Sequence, residues 1–223
     1  MINNIIKNII NKNYTAKMNP DNVENYKAAA NIILNVRKLN NIKRWSNEFL
    51  HKRASVAEHS FAVSQIAQML GIIEEEQNNV VDWKKLYMKA LNHDVAESVT
   101  GDILNSTKNM TKEMKAKVAE VEDFIVNTQL IAGMSKHFES KYREILHDGK
   151  DDSLEGQILS AADNIDAYIE CVQEIQLGNT IPFKTISETI LQKIKHNKLV
   201  SVYIFVENIL PHLLDVHQTL NDE

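Results

Sequence analysis

A chain of 223 residues is long enough to bury a substantial core as one large domain. With 43% hydrophobic and 25% charged residues but only three prolines and six glycines, it points to long helices and short connections, and alternating valine or aromatic runs that would mark a sheet are scarce. A net charge of -5 excludes a general nucleic-acid binder, which carries a basic face, while leaving room for a local nucleotide pocket.

The opening Met1-Ile2-Asn3-Asn4-Ile5-Ile6-Lys7-Asn8-Ile9-Ile10 places isoleucine at helical spacing, but asparagine and lysine break it up, so it is not a secretory apolar core. It reads equally as an amphipathic arm and as a frayed terminus. Residues 1–26 are therefore set apart as an N-terminal extension from a folded domain over 27–220. Asp21 and Asn22 are cap candidates for a helix carrying Val23, Tyr26, Ala30, Ile33, Leu34 and Leu39. Asn40-Asn41 loosens that helix, and Ile42-Lys43-Arg44-Trp45 follows as a connector, with the indole read as a core residue. Ser55 and Glu58 have the spacing of a capping box, opening a helix through Val56, Phe61, Val63, Ile66, Ala67 and Leu70 that is expected to stop at Gly71. His59 falls in its first turns.

Trp83, Leu86, Tyr87, Ala90 and Leu91 form a 3.6-residue stripe leading into Leu91-Asn92-His93-Asp94-Val95-Ala96-Glu97-Ser98-Val99-Thr100-Gly101-Asp102. Thr111 is a cap candidate for a charged amphipathic helix reaching about Ile131, and a mixed segment from Gly133 ends in the loop Asp148-Gly149-Lys150-Asp151-Asp152. Ser153 caps a long helix through Leu154, Ile158, Leu159, Ala162, Ile165, Ile169 and Val172 to Gly178, and Asp163 stands in the middle of that apolar stripe. Two more helices, roughly 183–196 and 199–218, complete the chain, the second interrupted by Pro211 and carrying an apolar stripe, Val202, Phe205, Val206, Ile209 and Leu213, that suits either a subunit face or the core. The single Cys171 lies within an apolar helical pattern and reads as a buried thiol in a reducing cytoplasm. No run approaches the ~18 apolar residues that span a bilayer, and no repeat or linker divides the chain, so the expectation is one all-α domain.

The His93-to-Asp102 stretch concentrates an imidazole and three carboxylates. Adjacent helical residues point about 100° apart, so His93 and Asp94 reach one ion only where a helix ends or lies close beside it. Glu97 follows His93 by one turn, over the same face. Joined by His59 and Asp163, these residues make a mixed nitrogen and oxygen donor set suited to a divalent first-row metal. Two neutral imidazoles and two carboxylates balance a dication and leave positions for water and a phosphate oxygen. Taken singly, His59 reads as a capping or surface residue, and Asp163 as a partner for a neighbouring helix N-terminus.

His59, His93-Asp94 and Asp163 resemble the H…HD…D signature of the HD superfamily of metal-dependent phosphohydrolases. Ile42-Lys43-Arg44-Trp45, Val56-Ala57-Glu58-His59-Ser60, Asn92-His93-Asp94-Val95-Ala96-Glu97, Thr100-Gly101-Asp102 and Ala162-Asp163-Asn164-Ile165-Asp166-Ala167-Tyr168 look like the bacterial HD-domain 5'-deoxynucleotidases, over about residues 27 to 215. The resemblance implies a compact multi-helix HD domain holding a divalent metal (Co, Mn, Ni, Fe, Zn or Mg) on His59, His93, Asp94 and Asp163. It implies Glu97 as the catalytic acid/base and Arg44 as the catalytic group that orients the 5'-phosphate. Trp45 would pack on the sugar and disfavour a 2'-hydroxyl, Asp102 would hold the sugar hydroxyl, and Ile103, Leu104 and Asn105 would line the substrate. The implied partner is a small deoxynucleotide, with no nucleic-acid polymer and no membrane, and the implied assembly is a homodimer in the cytoplasm. Related nucleotidases carry a proline-containing loop after Gly-Asp, whereas this chain has Ile103-Leu104-Asn105-Ser106. Two alternatives remain at this level. One is a deoxynucleoside triphosphate triphosphohydrolase, which needs extra cationic residues beyond Arg44, for example Lys52, Arg53 or Lys108, lining the pocket. The other is a non-catalytic nucleotide-sensing HD protein.

Overall fold

Side-chain caps and apolar stripes, both short-range signals, account for most helix positions in the computed structural model, which describes residues 23–108, 110–146 and 149–219. In chain order the helices are α1 (Val23–Lys38), α2 (Val56–Glu76), α3 (Trp83–Asn92), the short α4 (Glu97–Thr100) and α5 (Asn105–Lys108), then α6 (Lys112–Ile125). A π-helical turn, Val126–Leu130, prolongs α6 to the expected end, and α7 (Lys136–Leu146), α8 (Leu154–Gln176), α9 (Thr180–Lys195), α10 (Val200–Asn208) and α11 (Leu210–Thr219) follow. The expected all-α class is met: no strand occurs among the described residues, only an isolated bridge between Lys43 and Ser55. Among them no helix is long and apolar enough to cross a membrane.

The caps fall where the residue types place them. Ser55 Oγ accepts from the Glu58 N–H while the Glu58 carboxylate takes the Ser55 N–H at 2.6 Å, closing the capping box. Asp82 caps α3, Thr111 caps α6 and Ser153 caps α8, each by a side-chain oxygen that accepts the backbone N–H three residues on. The N-terminal isoleucines, Asp21 and Asn22 lie outside the described residues. Position 27 lies inside α1, which runs through it without a break.

Helices α2 and α8 form the centre. Val63, Ala67 and Leu70 from α2, Leu86 and Ala90 from α3, and Ile158, Leu159, Ala162 and Ile165 from α8 are buried together with Phe183, Ile190, Val202 and Phe205. Burial of each large aliphatic side chain contributes about 1.5–3 kcal/mol. A second cluster joins Ala28 and Ile32 of α1 to Val95, Ile125, Val126, Leu130, Ile131 and Met134.

Two expectations are corrected. Gly71 does not stop α2, which continues to Glu76. It is there for close packing, since a Cβ on it would meet the Trp83 ring at 3.0 Å and Leu86 at 3.1 Å. The last segment breaks at Ile209, ahead of Pro211, which sits in the first turn of α11 where its missing N–H costs nothing. The C-terminal apolar stripe also serves the core: Val202 and Phe205 are buried, Val206 and Ile209 pack against them, and Leu213 is exposed.

Two expected results arise here. Gly156, in the first turn of α8, is so close to the preceding loop that a Cβ would lie 2.6 Å from the backbone nitrogen and oxygen of Asp151. Gly156→Ala is expected to lower stability by about 1–3 kcal/mol through overpacking, despite alanine's better helix propensity, as urea denaturation would show. Cys171 is fully buried, and burial pushes its thiol up to about 12. Native protein at pH 8 is expected to leave a thiol-specific chromogenic disulfide unreacted, and guanidinium-unfolded protein to react fully.

Candidate active site

Three elements carry the predicted metal ligands to one place. His59 lies in the first turns of α2, His93 is the C-cap residue of α3, and Asp163 projects from the middle of α8. Because α3 ends at Asn92, Asp94 turns back toward His93 instead of following the helix face. His59 Nε2 is 3.1 Å from Asp163 Oδ1 and 3.6 Å from Asp94 Oδ2, and His93 Nε2 is 3.1 Å from Asp94 Oδ2. One donor atom each from His59, His93 and Asp163 lie within 4.8 Å of one another. Donors bound about 2.0–2.2 Å from a common ion are spaced in this range.

The residues fit a cation on a second ground. The Nε2 atoms of His59 and His93 are buried without a hydrogen-bond partner. Their opposite nitrogens are committed, His59 Nδ1 to Asp166 Oδ2 at 2.6 Å and His93 Nδ1 to the Ala90 carbonyl at 2.9 Å. A carbonyl only accepts, so His93 carries its proton on Nδ1 and turns a lone pair inward, the arrangement that orients metal-binding imidazoles. Burial and Arg44 oppose a charge on His59, but the neighbouring Asp163 and Asp166 carboxylates outweigh them and lift it to about 9. A cation bound there displaces a proton at neutral pH. Burial opposes ionisation of Asp94 as well, yet His93 and His59 hold it below the usual carboxylate range. Lys150 and His59 do the same for Asp163.

Glu97 is buried at the start of α4. Its Oε1 accepts from Lys108 Nζ at 3.0 Å, and its Oε2 has no partner. Burial, then the Asp94 charge, push this carboxyl up to about 8 against the pull of Lys108. Lys108 also pairs with Glu122 at 3.3 Å.

Arg44 and Trp45 stand beside this centre. The Arg44 N–H donates to the Ala54 carbonyl at 3.1 Å, and the Trp45 N–H to Asp102 Oδ2 at 2.8 Å. Trp45 has a left-handed backbone (φ 55°), uncommon for a bulky residue. Its indole meets Phe183 edge-on at 5.6 Å, so it packs on the core as the core reading expects. A cavity of about 400 Å³ is lined by Arg44, Trp45, Asp94, Glu97, Asp102, Ile103, Leu104, Lys108, Lys150 and Asp163, and on its far wall by Thr185, Ile186, Thr189, Ile190 and Lys193 of α9. The Asn105 side chain lies outside the described residues. Lys52 and Arg53 are absent from this wall: the Lys52 N–H donates to Glu174 and Arg53 to the Glu48 carbonyl.

Sequence reasoning missed Asp166, Glu170 and Lys150. Lys150 pairs with Asp163, and Lys89 Nζ holds its loop through the Gly149 carbonyl at 3.2 Å and Asp151 at 3.0 Å. Asp163, Asp166 and Glu170 follow at i, i+3 and i+7, one face of α8, so helical spacing alone carried a signal for the two carboxylates. Nothing local marked Lys150.

An all-helical fold that gathers an H…HD…D donor set at the end of a cavity defines the HD-domain phosphohydrolase class. Comparison with known proteins narrows it: the chain belongs to the YfbR-like 5'-deoxynucleotidase family, whose sequence profile matches residues 31–213. A 5'-deoxynucleotidase of Shewanella oneidensis is 25% identical over 183 residues, 82% of this chain and 93% of that one. The crystal structure of an HD-domain phosphohydrolase from Listeria innocua is 35% identical with a TM-score of 0.76, covering 87% of this chain and 97% of that one. The Cyanophage S-2L HD phosphohydrolase DatZ, solved with dA and one catalytic Zn2+ ion, shares the fold at a TM-score of 0.51 and 16% identity, covering 85% of this chain and 96% of that one.

Proposed function

We propose that this enzyme removes the 5'-phosphate from deoxyribonucleoside 5'-monophosphates, with His59, His93, Asp94 and Asp163 holding a divalent metal. The observation that supports this most directly is the pair of buried, unpartnered Nε2 atoms facing two carboxylates at the end of a nucleotide-sized cavity. When bound, such a cation supplies a Lewis acid for the phosphate and lowers the pKa of a bound water.

The chain's own groups do the rest. Glu97, with a free buried Oε2 and a carboxyl poised near neutrality, takes or gives a proton at the attacking water. Arg44 offers its guanidinium fork to the phosphate, a geometry that matches two oxygens at once. Trp45 closes the sugar subsite with a surface that has no acceptor for a 2'-hydroxyl, so a ribose would bury an unsatisfied OH. Asp102, one oxygen of which takes the Trp45 N–H, presents its other oxygen to the remaining sugar hydroxyl. Of the cations in the cavity wall besides Arg44, Lys108 is engaged with Glu97 and Glu122 and Lys150 with Asp163, while Lys52 and Arg53 are not part of it, and this supports the monophosphate reading. The presence of Glu97 beside a full donor set speaks against a purely sensing role.

The test is phosphate release from dAMP, dTMP and AMP by metal-loaded protein. The deoxy substrates are expected to react faster, and equal or absent release would sink the reading. The working assembly is a homodimer in the cytoplasm, for which light scattering during size exclusion is the check on subunit number.

A further inference from the structure

Glu170 lies outside the residues with an assigned role. It is seven residues beyond Asp163 on α8, about 10 Å along the helix axis and on the same face, with one carboxylate oxygen within 4.8 Å of a ring nitrogen of His59. Its Oε2 accepts two hydrogen bonds at once, from Arg44 Nε at 2.9 Å and from Trp45 Nε1 at 3.0 Å. These are the two side chains read above as the phosphate and sugar contacts. Both come from a connector without regular structure, and Trp45 has the left-handed backbone described above. Two carboxylates hold it there, Asp102 on the backbone N–H and Glu170 on the indole N–H. The guanidinium is committed only through Nε: its Nη groups make no hydrogen bond among the described residues and remain available to an anion.

We propose that Glu170 is the positioning residue of the substrate site, tying the Arg44 guanidinium and the Trp45 indole to the same rigid helix that carries Asp163. The consequence is a fixed distance between the phosphate and sugar contacts and the cation donors. The backbone bonds of Arg44 to Ala54 and of Val56 to Ile42 hold the connector's main chain, Glu170 holds its two side chains, and misplacement of about 1 Å costs up to 100-fold in rate. This inference rests on the deoxynucleotidase reading.

Two substitutions separate its parts. In Glu170→Gln the amide oxygen still accepts from the indole, but the charge opposite Arg44 is gone and the amide N–H faces another donor. In Glu170→Leu both partners are lost. We measure kcat and KM for dAMP and AMP, bound metal, and thermal unfolding for both variants and the wild type. Glu170→Gln is expected to lower kcat for dAMP about tenfold, with KM less affected and the preference for dAMP over AMP retained. Glu170→Leu is expected to lower kcat further and to erode that preference, with metal content unchanged in both. Wild-type kcat and preference in both variants, or a loss confined to thermal stability, would overturn the positioning role. An inactive wild-type enzyme would instead overturn the deoxynucleotidase reading, and this inference with it.

Discussion

Asp163→Ala is expected to strip the metal from the purified protein and to lower phosphate release from dAMP by more than about 100-fold, beyond the loss that outer partners of a metal site usually cause. Asp163 is the sole contribution of α8 to the donor set, with Oδ1 3.1 Å from His59 Nε2 and its second oxygen paired with Lys150. Alanine is a good helix former, and the site is mid-helix, so α8 should persist. The metal-free variant loses stability at neutral pH, and the sign follows from the direction of the shift. Asp163 is held well below the ordinary carboxylate range, so its ionised form stabilises the fold above that range and the contribution disappears as pH falls through it. Elemental analysis after dialysis, with a phosphate assay on the same samples, reads both effects. Retained metal with retained activity would remove Asp163 from the site.

Glu97→Gln separates chemistry from metal binding. The variant is expected to keep its metal and to lose about 100- to 10,000-fold in kcat, the range for removal of a general acid–base. Glutamine preserves the volume of a buried side chain and the hydrogen bond from Lys108, while Lys108 keeps Glu122 as its charge partner. The same variant tests the raised pKa in metal-free protein. Glu97 is lifted from 4.5 to about 8, so the fold favours its protonated form. That contribution is complete below the unfolded value and is lost as pH rises through about 8. Glutamine mimics the protonated form and has no such loss. The thermal stability of Glu97→Gln relative to wild type is therefore expected to increase with pH between those two values in chelator-treated samples. A difference independent of pH would mean that Glu97 is ionised throughout.

Much of the architecture was legible from spacing. Ser55, Thr111 and Ser153 mark helix starts because a side-chain oxygen two or three residues ahead of a free N–H is a local geometry that needs nothing from the rest of the fold. The errors came where a residue's local meaning was overridden. Gly71 carries a stop signal, yet it is needed in mid-helix for contact with Trp83. The stripe from Val202 to Leu213 was compatible with either a core or a subunit face, and only the packing of α10 on α2 decided that Val202 and Phe205 are buried while Leu213 stays exposed.

The candidate site divides in the same way. The identities of His59, His93, Asp94, Glu97 and Asp163, their helical setting and the family pattern they form were all present in the linear chain, because a donor set is a matter of residue type and order. What holds those donors was not. The Arg44–Glu170 pair spans 126 positions and the His59–Asp166 pair 107, and the Lys150 contact to Asp163 depends on a loop anchored by Lys89. A hydrogen bond requires partners within about 3 Å, and no local rule predicts which distant side chain will arrive there. Helix packing alone decided that one face of α8 would orient a histidine through Asp166 and, one turn on, grip a guanidinium and an indole through Glu170.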